Sequence, residues 1–178
     1  MKVLWLVLLL LLVSPSCSDG FSHDFNTDEP DVEIFVRLIK NGTYNCSEVS
    51  KSGEFLWLKM PGFTRSDIPG LLKLASDLTP VKSFPENPIS SIRLEYKRLG
   101  ECLLWVVEGI RIGRPYGSLI PSLSTAAEKI EGSSTVRRLT DEEVLEVRQL
   151  YLDWWEKVKD DQFLMERINP LKDTRYSW

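Results

Sequence analysis

Histidine is nearly missing from this chain, with His23 alone among 178 residues, and cysteine occurs three times. That scarcity removes most metal-ligand clusters and most Ser–His or Cys–His relays. Basic charge is not in excess either: 22 Lys and Arg stand against 26 Asp and Glu, for a net charge of −4. The cationic footprint that a nucleic-acid binder requires is therefore lacking. No Gly-rich phosphate loop and no nucleophile elbow is present, and no motif implies a cofactor. The longest apolar run, Val3 to Val13, would extend only about 16 Å as a helix, against a hydrocarbon core of about 30 Å. What is present is a 43% hydrophobic chain, enough for one core and too apolar for general disorder.

The opening segment MKVLWLVLLLLLVSPS combines one cation, an apolar stretch and small residues before Cys17. It predicts a secretion signal over residues 1–16. Ser14-Pro15-Ser16 suits an ordinary signal peptidase, and Cys17 suits lipoprotein processing, in which that cysteine carries the lipid. Ser16-Cys17-Ser18-Asp19 resembles the start of Bacteroidetes lipoproteins, although Ser14 replaces the leucine of the stricter pattern. We read Cys17 as the lipidation site and residues 17–30 as a polar, acidic tether holding His23. Residues 31–178 then form a single domain, in which Cys46 and Cys102 are the remaining cysteines. Export permits a disulfide between them, but Cys102 lies in the run CLLWVV, where a buried thiol also fits.

Helical periodicity dominates this domain. Val32, Phe35, Val36 and Ile39 recur at i, i+3, i+4, i+7 and predict a helix from Asp31 to Lys40, closed by Asn41-Gly42. Ile68, Leu71, Leu72 and Ala75 repeat the stripe behind an N-cap at Ser66, with Thr64 and Asp67 as an alternative cap. The segment from about Leu94 to Ile112 is apolar nearly all round, which predicts a central helix. Ser118 to Ile130 suggests a short helix, and Thr140 with Glu143 forms a capping box for a last long helix to about residue 160. Residues 43–53 and 79–91 read as loops, and 162–178 as a tail with apolar anchors. The fold class expected is all-α: about five helices in antiparallel pairs, arranged as a short HEAT-like stack. The alternatives are a plain helical bundle, or α+β with a small strand element near 54–60, where Phe55-Leu56-Trp57-Leu58 is too short to classify.

Three constellations carry candidate chemistry. Glu101 and Glu108, with Glu95 ahead of them, fall on one side of the apolar helix and could serve as acid and base. Arg93, Arg98, Arg111 and Arg114 lie close enough in sequence to pair with them structurally instead. Trp154 and Trp155, about 100° apart on a helix, offer a sugar-stacking or protein-anchoring ring if one is exposed. Arg111, Arg114 and Tyr116 offer two cations and a phenol to an acidic or glycan ligand. The same residues also read as a helix C-terminus with a Gly113 stop.

The blocks FTRSDIPGLLKLASD (63–77), PENPIS (85–90) and LGECLLWVVEGIR (99–111), followed by Tyr116-Gly117-Ser118-Leu119, resemble a family of Bacteroidetes lipoproteins described only as a domain of unknown function. The resemblance implies an exported, lipid-anchored envelope domain and supplies no catalytic residues. The expected function is a non-catalytic module, held on a bacterial membrane by its lipid, that binds a protein or another envelope component. A carbohydrate-binding accessory is the alternative, and a hydrolase using the paired carboxylates is a third.

Overall fold

The computed structural model describes residues 25–91, 94–126 and 136–178. The leader, Cys17 and His23 lie outside the described residues, as do Arg93 and the later part of the helix expected over 118–130. Among the described residues there are five helices and seven short strands. The fold is therefore mixed α/β, and the all-α, HEAT-like expectation is corrected.

Helix α1 (Val32–Asn41) begins where Asp31 accepts a hydrogen bond from the Ile34 amide, and ends at Gly42 with φ +67°. A polar turn then separates β1 (Ser47–Val49) from β2 (Phe55–Leu58), which pair antiparallel as a two-stranded hairpin. Helix α2 (Ile68–Leu74) follows a 3-10 turn at Arg65–Asp67. Here the Thr64 amide donates to the Asp67 carboxylate at 2.7 Å, so Thr64 and Asp67, rather than Ser66, organise the start. Strands β3 (Pro80–Val81) and β4 (Lys97–Arg98) pair next, and β4 leads directly into α3 (Leu99–Arg111).

The last sheet is built from β5 (Ser124–Ala126), β6 (Val136–Arg138) and the C-terminal β7 (Tyr176–Ser177), in the order β6-β5-β7. Residues 118–123 are irregular and lead into β5, so no helix forms in the described part of 118–130. Helix α4 (Asp141–Val158) has the expected capping box, with Thr140 and Glu143 each accepting the other's amide. A short α5 (Gln162–Arg167) turns the tail back toward the core.

Strands escaped periodicity because they are two to four residues long, less than the alternation needed to reveal a period of two. Their sheets also hold positions that sequence alone makes look like loop.

Helix α3 is the centre of the molecule, and every residue from Leu99 to Gly109 is buried. Its first amides have no side-chain cap. Leu99 N–H donates to Thr79 O and Gly100 N–H to Asp77 O, at 3.1 and 2.7 Å. This close approach requires Gly100: a Cβ there would stand 2.2 Å from the Ala75 carbonyl oxygen. On the N-terminal side the core is aromatic. Phe35 contacts Phe25, Tyr44, Phe63 and Phe84, and Phe84 continues to Trp105 and Tyr116. Phe25 is itself buried, so ordered packing starts ahead of residue 31, inside the segment assigned to the tether. Cys46 and Cys102 are both buried, and no disulfide joins them; packing, not a cross-link, accounts for their places.

Candidate binding face

The paired carboxylates resolve into two separate ion-pair centres. Glu101, fully buried, accepts from the Leu123 amide at 2.5 Å, from Arg98 Nε at 3.2 Å and from Arg138 Nη2 at 3.4 Å. Arg98 also reaches the Leu139 carbonyl and Asp141, so this centre joins α3 to the start of α4. Glu108 is held by Arg111 through two hydrogen bonds of 2.6 and 2.8 Å and by the Tyr151 hydroxyl at 2.7 Å. Tyr151 Oη in turn accepts from Trp178 Nε1, and Arg111 reaches the Glu166 carbonyl. Burial first, and the Glu108 charge second, push the Tyr151 phenol well above its ordinary value, so it stays protonated and donates.

Seven residues of helix separate Glu101 from Glu108, an axial distance of about 10 Å. With each acid committed to its own arginine, the two do not face each other across a substrate-sized gap. Both acids are structural. Glu95 is exposed and joins neither centre.

The tryptophan pair is likewise engaged. Trp154 is 2% exposed and packs edge-on against Tyr151 at 5.9 Å. Trp155 is half-buried, with the Arg65 guanidinium 5.9 Å above its ring. Arg65 also donates to the carbonyls of Val158 and Lys159 at the end of α4, which fixes it over that ring. Neither indole presents a free flat surface.

The 111–116 segment divides. Arg111 turns inward to Glu108 and is removed from the candidate ligand set. Gly113, at φ +65°, stops α3, and Arg114 N–H donates to Gly109 O. That helix stop leaves Arg114 exposed and Tyr116 half-buried, its ring 5.5 Å from Trp105. Burial, and then the Glu48 carboxylate of β1, raise the Tyr116 phenol above its ordinary value. The loop is braced by Ser118, which accepts from Trp105 Nε1 and donates to the Ile120 carbonyl. It passes so close to α3 that a Cβ on Gly117 would lie 2.6 Å from the Trp105 carbonyl oxygen.

Arg114 and Pro115 form the shared wall of two clefts. One, of about 420 Å³, is lined by Met60, Phe63, Val106 and Ile110. The other, of about 430 Å³, is lined by Pro88, Ile89, Tyr116 and Leu119. Ile89 and Leu119 are strongly exposed. A third groove of about 420 Å³ runs between β2 and the 82–97 segment, where Phe55 to Leu58 face Lys82, Glu86, Asn87 and Lys97. Lys97 is buried and paired with Glu86. As site residues, 85–90 and Phe55–Leu58 were not among the candidates, because the prolines of the first signalled a connector and the second was too short to classify. The one available signal was an apolar tetrapeptide one residue after Ser52-Gly53.

Among the described residues no group of three His, Cys, Asp or Glu side chains is placed to hold a metal ion, and no helix is long and apolar enough to cross a membrane. A family model described as "Domain of unknown function (DUF4943)" matches residues 26–178. No curated protein and no solved structure matches the chain.

Proposed function

The chain belongs to the DUF4943 family, and from that premise we propose that it is a lipid-anchored module of a bacterial cell envelope, exported, carrying its lipid on Cys17 and binding a protein partner without catalysis. The leader and its cysteine support the anchor, as does the likeness to Bacteroidetes lipoproteins. The observation that carries the binding role is the face around Arg114: one exposed cation between two apolar clefts, on a loop braced against the central helix. Such a face suits a peptide segment with apolar anchors on either side of an acidic residue. The carboxylates that would serve a hydrolase are spent on Arg98, Arg138 and Arg111.

Two experiments test this reading. Cys17→Ala should abolish metabolic fatty-acid labelling and membrane fractionation; persistent labelling would exclude the anchor. A photo-crosslinking residue placed at Leu119 should trap an adduct of defined mass in intact cells, and Arg114→Glu should remove it. An adduct indifferent to Arg114→Glu would rule out this face as the binding site.

A second reading, a carbohydrate-binding accessory, is favoured by the third groove, in which Trp57 stands beside Lys82, Glu86 and Asn87. Titration with soluble oligosaccharides, read by the loss of heat on Trp57→Ala, checks it.

A further inference from the structure

The β1–β2 hairpin lines the third groove on one side, yet its apolar residues stay exposed beyond that groove. Phe55 is 64% exposed, Leu56 45% and Trp57 37%, and Val49 opposite them is also open. Successive strand residues point to opposite faces, so the apolar surface covers both sides of the ribbon. A two-stranded hairpin is marginal in water by itself. A protein partner or a sugar would cover one face; a sugar would account for Trp57 and leave the more exposed Phe55 and Leu56 unexplained. Apolar residues left open on both faces of the ribbon fit contact with a lipid interface better than a single flat partner.

The root of the hairpin is also where the described chain begins. Phe25 packs against Tyr44 at 5.7 Å, and the Tyr44 hydroxyl donates to the Lys59 carbonyl. Lys59 Nζ reaches Thr27 and Asp28, and Gly62 N–H donates to Thr27 O. Residues 25–28 are thus clamped beside the segments that flank the hairpin, Tyr44 before it and Lys59 to Gly62 after it. Eight residues separate Cys17 from Phe25, a reach of at most about 29 Å at ~3.6 Å per residue. A compact chain of about 150 residues is about 38 Å across. A lipid on Cys17 therefore keeps Phe25 within that reach of the bilayer and excludes an orientation with the face opposite Phe25 on the membrane.

We propose that the β1–β2 hairpin is a second membrane contact, lying in the lipid headgroup region with Phe55, Leu56 and Trp57 at the acyl boundary. This rests on the Cys17 anchor proposed above. The polar turn with Lys51, Ser52 and Glu54 stays among the headgroups, so the ribbon rests in the interface without crossing it. Tryptophan is suited to that depth, since its ring is apolar and its N–H is wet.

The test uses the full chain, produced in a lipidating bacterial host and reconstituted into vesicles of phosphatidylethanolamine and phosphatidylglycerol whose acyl chains are brominated near the headgroup. Fatty-acid labelling is followed on the same preparations. We expect quenching of tryptophan emission that drops in Trp57→Phe to the background of the other four indoles that follow Cys17, Trp105 and Trp154 being buried and Trp155 and Trp178 half-buried. Phe55→Ser with Leu56→Ser should keep the label and the far-ultraviolet circular dichroism while reducing the Trp57 quench. Labelled protein with no Trp57-dependent quench overturns the hairpin contact and leaves the anchor standing. Trp57 shielded from a water-soluble quencher but unreached by bromolipid means that protein or glycan covers it, which also overturns the contact. Unlabelled protein removes the anchor and this proposal together.

Discussion

Helix α3 and the β1–β2 hairpin are both apolar in sequence, LGECLLWVVEGIR in one and FLWL in the other, yet they meet opposite surroundings. Helix α3 is enclosed by α2 and α4 and by the 113–119 loop, and its three buried charges, Glu101, Glu108 and Arg111, all have partners, as does Arg98 just before it. The hairpin is rooted at one end and leaves Phe55, Leu56 and Trp57 in contact with solvent. Hydrophobicity gives a segment a reason to be buried; neighbours close enough to cover it decide whether it is. In α3 those neighbours approach through Gly100 and Gly117, where a methyl group would collide with backbone. The hairpin has no such counterpart among the described residues.

The contrast can be broken from the α3 side first. Glu108→Ala leaves Arg111 and Tyr151 buried without their acceptor, and should cost about 3–5 kcal/mol in chemical denaturation. A fully stable Glu108→Ala protein would show that this centre is not structural. Gly100→Ala comes next. Its Cβ would meet the Ala75 carbonyl at 2.2 Å, so α2 and α3 must separate, at a cost of about 1–3 kcal/mol in the same measurement. An unchanged midpoint would mean that the α2–α3 contact is slack.

Acid sensitivity should be milder, with a contribution from two carboxylates at the margins of this core. Asp77, bonded to Lys40 and Thr79, is lowered from 3.8 to about 2, and Glu143, held by Arg137 and the Thr140 amide, from 4.5 to about 2. Because folding depresses both values, the stability they contribute is present above about pH 4.5. It is lost progressively as pH falls toward 2, when the folded state must bind the protons that the unfolded chain already holds. Thermal melts across that window should show the decline, and Asp77→Asn with Glu143→Gln should flatten it. An equally steep decline in the double variant would place the acid-sensitive groups elsewhere.

The smallest effect belongs to the hairpin. Phe55→Ser and Leu56→Ser should each change stability in water by no more than about 0.5 kcal/mol, as expected of exposed positions. A loss as large as that of Glu108→Ala would erase the distinction between the two regions.

Much of the helical skeleton was legible. The stripe of α1, its Asp31 start and its Gly42 stop, and the capping box of α4 depend on contacts within a few residues of the chain. Apart from the small strand element offered near 54–60, where β2 lies, the strands were not, since β3 and β4 pair positions 16 and 18 residues apart and exist only because α2 and α3 bring them together. Within the candidate site the loop carrying Arg114 and Tyr116 was found from its residue types. Arg111 stood among the binding candidates, although pairing with Glu108 was the competing reading of the same residues, and the pair is what forms. Trp154 shares its buried stripe with Tyr151 three residues earlier, a local contact, whereas Trp155 looked available because Arg65, which lies over its ring, is 90 residues away.

The sequence by itself determined where helices start and stop, that one apolar helix would occupy the middle, and that His- or Cys-based chemistry had little material to work with. These follow from local hydrogen bonding, from a 3.6-residue period and from composition. Only the tertiary structure decided which apolar residues are covered, which acids meet an arginine, and that Arg114 rather than Arg111 faces outward. Those outcomes depend on distances between segments remote in the chain, set by how closely backbones approach at Gly100 and Gly117.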